Sequence, residues 1–304
     1  MELEVVATGL KFPEGPVAMP DGSVILVEIQ RQTLSRVTPD GRVEVVADLG
    51  GGPNGAAVGP DGAIYVANNG GFGWIEEDGI TSPHGTPAWY QGGSIQRVNP
   101  ASGAVTTLYT ECDGRALRGP NDLVFDAHGG FWFSDLGKAD EERVDHGRLF
   151  YASADGASIR QVLGGMTSPN GVGLSPDGRT LYVAETRTSR VQVLEIVEPG
   201  VLRAPASRWT PRAVLGPLPG YQLLDSLAVE AGGKICVGTL VNGGITIFDP
   251  AGAIEHVAVP DPMVTNICFG GRDMCEAWIT ASGTGTLYRC RWPRPGLPLS
   301  YQTI

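Results

Sequence analysis

The sequence predicts an all-β fold, a six-bladed β-propeller of four-stranded blades that spans residues 1–304 as one domain. Three observations carry this prediction. Six stretches of the chain align with one another, their mean spacing matches the length of one blade, and tight-turn dipeptides separate paired apolar runs.

The six stretches are FPEGPVAMPDGSVILVEI (12–29), GPNGAAVGPDGAIYVANN (52–69), GPNDLVFDAHGGFWFSDL (119–136), SPNGVGLSPDGRTLYVAET (168–186), LLDSLAVEAGGKICVGTL (223–240) and VTNICFGGRDMCEAWITAS (264–282). Each opens on a polar anchor, runs through a short apolar segment and a turn, and ends in a second apolar run rich in β-branched or aromatic residues. The anchors are Glu14, Asn54, Asn121, Asn170, Asp225 and Asn266. They lie 40, 67, 49, 55 and 41 residues apart, and 52 more close the circle through the C-terminus, a mean near one blade. Asp21-Gly22, Asp61-Gly62 and Asp177-Gly178 stand between apolar runs, where positive φ angles suit a tight hairpin. A second strand pair follows each hairpin, as in TLSRVTP, Asp40-Gly41 and RVEVVADL of the first blade. The sixth blade reaches TLYRCRW and then lacks an outer strand. ELEVVATG, which stands before the first anchor, is expected to supply it, so that residues 2–7 close the ring and hide an open edge.

Composition agrees. The chain carries 44 glycines and 23 prolines, about a fifth of its residues, spread as punctuation between apolar runs. Charged residues are only 18%, too few for long amphipathic helices. A net charge of -11 disfavours nucleic acid as a partner and is compatible both with binding a cation and with solubility alone. The five cysteines form no CxxC pair and read as buried thiols in a reducing compartment. With no basic and apolar leader and no apolar run long enough to span a bilayer, a cytoplasmic protein without membrane contact is expected.

In a propeller the first strand of each blade lines the central channel, so a residue just before it faces the axis at one rim. All six such positions are Glu, Asp or Asn, and six oxygen-bearing side chains are expected to converge there. Asn54-Gly55 and Asn170-Gly171 also read as turn chemistry, whereas Glu14 and Asp225 are poor turn choices. Two carboxylates facing one another repel unless a cation lies between them. Carboxylate and amide oxygens are hard donors suited to calcium and less to magnesium, while zinc prefers His and Cys. His84, His128, His146 and His256 are scattered without metal-ligand spacing, and no GxSxG nucleophile elbow occurs.

FPEGPV at 12–17, the stretches at 119–138 and 168–186, and LLDSLAVEAGGKICVGT at 223–239 give the chain a resemblance to the senescence marker protein/gluconolactonase/luciferin-regenerating enzyme family. The resemblance covers nearly the whole chain in order and spacing. It implies a six-bladed propeller with one calcium-type divalent ion in the channel, for which manganese, magnesium or zinc are substitutes. It further implies Glu14, Asn121, Asn170 and Asp225 as the ligands, Asp225 as general base, and Asn54 as a channel residue beside them. The arginine that some members carry two residues before the third-blade Asn is absent, since Gly119 occupies that place and Arg118 lies one further back.

The expected reaction is hydrolysis of a small lactone or ester, with the ion as Lewis acid and Asp225 accepting the proton of the attacking water. A phosphotriester hydrolase on the same site, a lyase or condensing enzyme, and a non-catalytic ligand-binding propeller are the alternatives that the fold allows. Asn121 and Asp135 are further candidates for substrate contact; Asp135 reads equally as a structural carboxylate. The long interval between Asn54 and Asn121 holds an insertion at 70–92 containing Phe72, Trp74, Trp89 and Tyr90. It is expected to be a loop on the anchor rim that acts as a lid, with Trp74 and Trp89 touching substrate, or else an aromatic patch that packs on the blades or on a partner subunit. A monomer or small homo-oligomer fits these features.

Overall fold

The computed structural model describes residues 1–210 and 212–303. Its strands form six antiparallel four-stranded blades, and no helix occurs among the described residues. Blade one runs Pro13–Ala18, Val24–Glu28, Thr33–Val37 and Val43–Asp48; blade two runs Pro53–Val58, Ile64–Asn68, Ser94–Val98 and Val105–Tyr109. Blade three comprises Pro120–Phe125, Gly130–Asp135, Gly147–Ser153 and Ile159–Met166. In blade four, Pro169–Leu174, Thr180–Glu185 and Arg190–Glu198 are followed by a broken edge, with Val201–Leu202 and Ala213–Leu215 each pairing part of the third strand. Blade five is regular: Leu223–Val229, Ile235–Leu240, Gly244–Phe248 and Ile254–Ala258.

Blade six joins both ends of the chain. Val264–Gly270, Glu276–Ala281 and Thr286–Arg291 are completed by Glu4–Ala7, which pairs Glu4 with Arg289, Val5 with Tyr288 and Ala7 with Leu287. The N-terminal segment thus supplies the outer strand, as expected. The C-terminal tail does a different job. It crosses the mouth opposite the anchors: Leu297 N donates to Val229 O, Ser300 Oγ to Phe125 O, and Gln302 Nε2 to Phe269 O, touching blades five, three and six. Ile304, at its end, lies outside the described residues. Between tail and anchors the channel holds a cavity of about 350 Å³ lined by residues including Asp122, His128 and Cys268.

The blades are held together by apolar layers that follow the period-two alternation of their strands. In Gly130–Asp135, Phe131 and Phe133 face blade two and join a cluster with Tyr65, Phe125 and Phe150, while Trp132 faces blade four with Leu149, Val172 and Leu181. Phe133 and Phe150 stack with centroids 4.9 Å apart. Burying each such ring stabilises the fold by about 1.5–3 kcal/mol. All five cysteines are free; Cys112, Cys236, Cys268 and Cys290 are buried, as expected of them, whereas Cys275 is only half-buried.

The anchors are placed one step differently from the expectation. They lie within the first strands and not before them, generally as the second residue, and every first strand carries a register shift beside its anchor. Such bulges re-aim a side chain out of the ladder. They turn the anchors toward the axis while the remainder of each strand keeps its pairing.

Candidate metal centre

Neighbouring first strands approach so closely at Glu14, Asn54 and Asn170 that the next residue has to be glycine. A Cβ on Gly15 would lie 2.7 Å from Ala56 N, on Gly55 2.5 Å from Asn121 O, and on Gly171 2.6 Å from Leu227 N. Gly55 and Gly171 do not have positive φ, so Asn54-Gly55 and Asn170-Gly171 are not turns: glycine is there for space. This closes the turn reading of those two anchors.

All six anchors are buried at the channel neck. Hydrogen bonds then sort them. Asn266 donates through Nδ2 to Glu14 Oε2 at 2.8 Å, and its Oδ1 accepts from Ile267 N, so it braces Glu14. Asn54 Oδ1 accepts from Asn69 Nδ2 at 2.8 Å and Asn121 Nδ2 at 3.5 Å. Asn170 gives Nδ2 to Thr186 Oγ1, and its Oδ1 takes one bond from Ser226 Oγ at 3.3 Å, which leaves a lone pair. Glu14 Oε1 and Asn121 Oδ1 are buried with no partner among the described residues. Geometry therefore leaves orphaned oxygens on Glu14 and Asn121 and a lone pair on Asn170, three of the four residues that the resemblance implies, and saturates the oxygen of Asn54.

Electrostatics point the same way. Burial raises the Glu14 carboxyl to about 7, against lowering by the bonds from Asn266 and Gly15. Asp225 is raised well above the usual carboxylate range, first by burial and then by the charge of Glu14. Two desolvated carboxylates, the second raised further by the charge of the first, form a site for a positive charge. Among the described residues no three His, Cys, Asp or Glu side chains gather in one place, so a centre here has to draw on amide oxygens. Orphaned buried oxygens and an all-oxygen donor set fit a hard divalent cation.

Sequence reasoning missed Asp122, Asn69 and Lys138. Asp122 lies beside the centre, accepts from Leu123 N and Val172 N, and is raised by burial to about 8. The aligned stretches have Gly, Ser or Ile in that column, so its carboxylate is the exception that could have drawn notice. Asp135 is corrected from substrate contact to a structural role. Its fully buried carboxylate accepts from Arg118 N, Gly119 N, Gly137 N and Arg148 Nη2, which saturates it. Glu28, Asn68 and Glu185 end the same strand of their blades and hold the preceding rim loop in the same way, through Lys11 N, Gly52 N and Thr167 N.

The insertion at 70–92 is more ordered than the loop expected. Trp74–Glu77 and Ile80–Pro83 form a hairpin turned at Asp78 (φ 51°) and Gly79 (φ 77°). Asp78-Gly79 was a legible turn signal, masked by the surrounding glycines and prolines. The hairpin leaves blade two, passes blade one and reaches blade six, where Thr81 N donates to Gly283 O at 2.9 Å. Trp74 packs on Phe12, next to the first strand of blade one, with centroids 5.0 Å apart. Trp89 lies against the backbone of Gly71 and is 49% exposed. The aromatics therefore pack on blade one and on the insertion's own backbone.

Fold and site together define an axial-site β-propeller, a closed ring of six sheets whose inner strands deliver oxygen donors to one buried centre. The chain belongs to the SMP-30/Gluconolactonase/LRE-like family, whose model matches residues 12–283. A gluconolactonase from Zymomonas mobilis is 26% identical over 299 residues, covering 88% of this chain and 76% of its own length. Among solved structures, a gluconolactonase from Xanthomonas campestris superposes with a TM-score of 0.74 at 23% identity, covering 96% of this chain and 89% of the other. Regucalcin from Agrobacterium tumefaciens, described as a calcium-binding protein, superposes with a TM-score of 0.73 at 17% identity, covering 97% of each. At these identities the two superpositions establish the fold alone.

Proposed function

We propose that the protein hydrolyses a small lactone at the channel neck with the help of one divalent ion, calcium first. The observation that carries this reading is the pair of buried, unpartnered oxygens, Glu14 Oε1 and Asn121 Oδ1, beside the raised carboxylate of Asp225. Membership of a family with gluconolactonases among its relatives supports a cyclic ester as substrate, and the calcium-binding relative supports the ion.

Glu14, Asn121, Asn170 and Asp225 would hold the ion, which when bound supplies Lewis acidity to the ester carbonyl. Neutral amides from Asn121 and Asn170 leave it more electrophilic than four carboxylates would. Asp225 takes a proton from the water that adds to the acyl carbon and returns it to the ring oxygen as the acyl C–O bond breaks. One hydroxy acid results. Asn266 keeps Glu14 in its ionising orientation, and the Phe72 and Trp74 side limits water above the reacting ester.

The test is proton release from a panel of lactones, with calcium, manganese, magnesium, zinc or chelator added. Ion-dependent release that chelator abolishes is expected. A protein that binds the ion and opens no lactone, yet releases acid from a phosphotriester, overturns the lactone reading in favour of the phosphotriester.

A further inference from the structure

Lys138 is buried beneath the insertion, and among the described residues its ammonium is met by neutral groups and not by a carboxylate. It donates to Gly71 O at 2.7 Å and, at 3.5 Å, to Asn69 Oδ1, and it lies 4.5 Å from the centroid of Phe72 and 4.9 Å from that of Tyr90. An ammonium has only donors, as does a backbone N–H, and Gly71 N also bonds Asn69 Oδ1 at 2.7 Å. Two donors on one atom fix that atom as the oxygen, which removes the usual ambiguity in an amide's orientation. The other end of Asn69 is therefore its NH₂, and it points at Asn54 2.8 Å away.

A donor from Asn69 makes the facing atom of Asn54 its Oδ1, which also receives Asn121 Nδ2. Asn121 is thereby held with Oδ1 free and turned to the centre. Asn54 is held with Nδ2 as its unused end, bonded to no group among the described residues. Three amides are thus oriented in series by a lysine and a backbone N–H of the lid root.

We propose that Asn69, set by Lys138 and by the backbone of Gly71, is a positioning residue that presents Asn54 Nδ2 to the ester carbonyl oxygen and Asn121 Oδ1 to the ion. The part concerning Asn54 rests on the lactonase reading; the part concerning Asn121 does not. In the reaction, Asn54 Nδ2–H donates to the oxygen on which negative charge grows as water adds, and no proton leaves it. Because Gly71 and Phe72 belong to the insertion, the donor is in register only while the lid root is docked on blade three.

Asn69→Asp is the discriminating variant. The introduced carboxylate keeps both acceptor contacts, to Gly71 N and to Lys138, but has no N–H for Asn54. Asn54 is then expected to rotate and offer its oxygen to the channel, and Asn121 loses its opposing acceptor. Loss of one oxyanion donor lowers kcat by about 10²–10³-fold with KM little changed. Ion affinity, read by calorimetry, is expected to weaken about tenfold or more, with melting temperature preserved. Combined with Asn54→Ala, the variant is expected to lower kcat no further than Asn54→Ala alone. Wild-type kcat and ion affinity in Asn69→Asp overturn the proposal, as does a loss of kcat that adds in full to that of Asn54→Ala. If the wild type binds the ion but opens no lactone, the function reading fails on its own, and the ion affinity of Asn69→Asp still decides whether Asn69 positions Asn121.

Discussion

At the residue scale, the centre is built from groups that are uncomfortable without a cation. Glu14 is raised to about 7 from 4.5 by burial, so between those values the ion-free native state holds a proton that the unfolded chain has released. The native state then binds more protons than the unfolded one, and stability falls as pH rises through that window. Ion-free protein is expected to melt lower at pH 8 than at pH 5. Glu14→Gln removes the penalty, so the ion-free variant is expected to melt roughly 5 °C above ion-free wild type at pH 8, while ion affinity drops by about two orders of magnitude as a charged ligand is lost. Calorimetric melting after chelation, at both pH values, checks the sign. Asp225→Asn separates the two duties of that carboxylate. At saturating ion its turnover is expected to stay about 10²-fold or more below wild type; full recovery on adding ion would make Asp225 a ligand only. The residue scale is also where sequence reading was least complete. Glu14, Asn54, Asn121, Asn170, Asp225 and Asn266 stood out because they recur at one place in six aligned stretches, and the family resemblance implied four of them, Glu14, Asn121, Asn170 and Asp225, as ligands. Asn69 and Lys138 recur nowhere, and their meaning comes from contacts across 67 and 69 positions of chain.

At the element scale, the hairpin within 70–92 is an addition to the four strands of blade two. Trp74 anchors it on Phe12, and Thr81 ties its far strand to blade six. If the hairpin shapes the substrate pocket, Trp74→Ala and Trp89→Ala should raise KM or change the preferred lactone with ion affinity intact. Trp89, half exposed, is expected to do so with little loss of stability, and Trp74 with a measurable loss because its ring packs on the blade. Steady-state kinetics on the lactone panel, paired with melting curves, distinguishes these effects. Identical kinetics for both variants would leave packing as the hairpin's only role. The existence of this insertion was legible from one long interval between anchors. Its strand pairing was not, because Gly and Pro at both ends suppress the local strand signal while a distant partner, Gly283, holds the hairpin in place.

At the scale of the whole molecule, stability depends on closing the ring. Glu4–Ala7 is short and its Glu4–Arg289 ion pair is largely exposed, so the pair itself adds at most about 1 kcal/mol. What the strand contributes is coverage of the edge of Thr286–Arg291. Deleting residues 2–7 is expected to lower the melting temperature markedly and to promote association through that edge. Scattering during a thermal ramp checks both, and a monodisperse deletion with unchanged melting would show that the ring does not need the strand. Truncation after residue 296 is the control, since the tail covers the opposite mouth and pairs with no edge strand. The sequence by itself determined the number of blades, their order, the closing strand and the six polar anchors, because each is written as a repeat or as a break in one, and repeats survive in a one-dimensional string. Only the tertiary structure decided which way each amide points, that Asp135 is spent on backbone N–H groups, that Gly55 and Gly171 serve close approach, and that the tail closes the far mouth. Those features depend on which atoms meet across the channel, and a channel exists only once six distant strands have been brought to one axis.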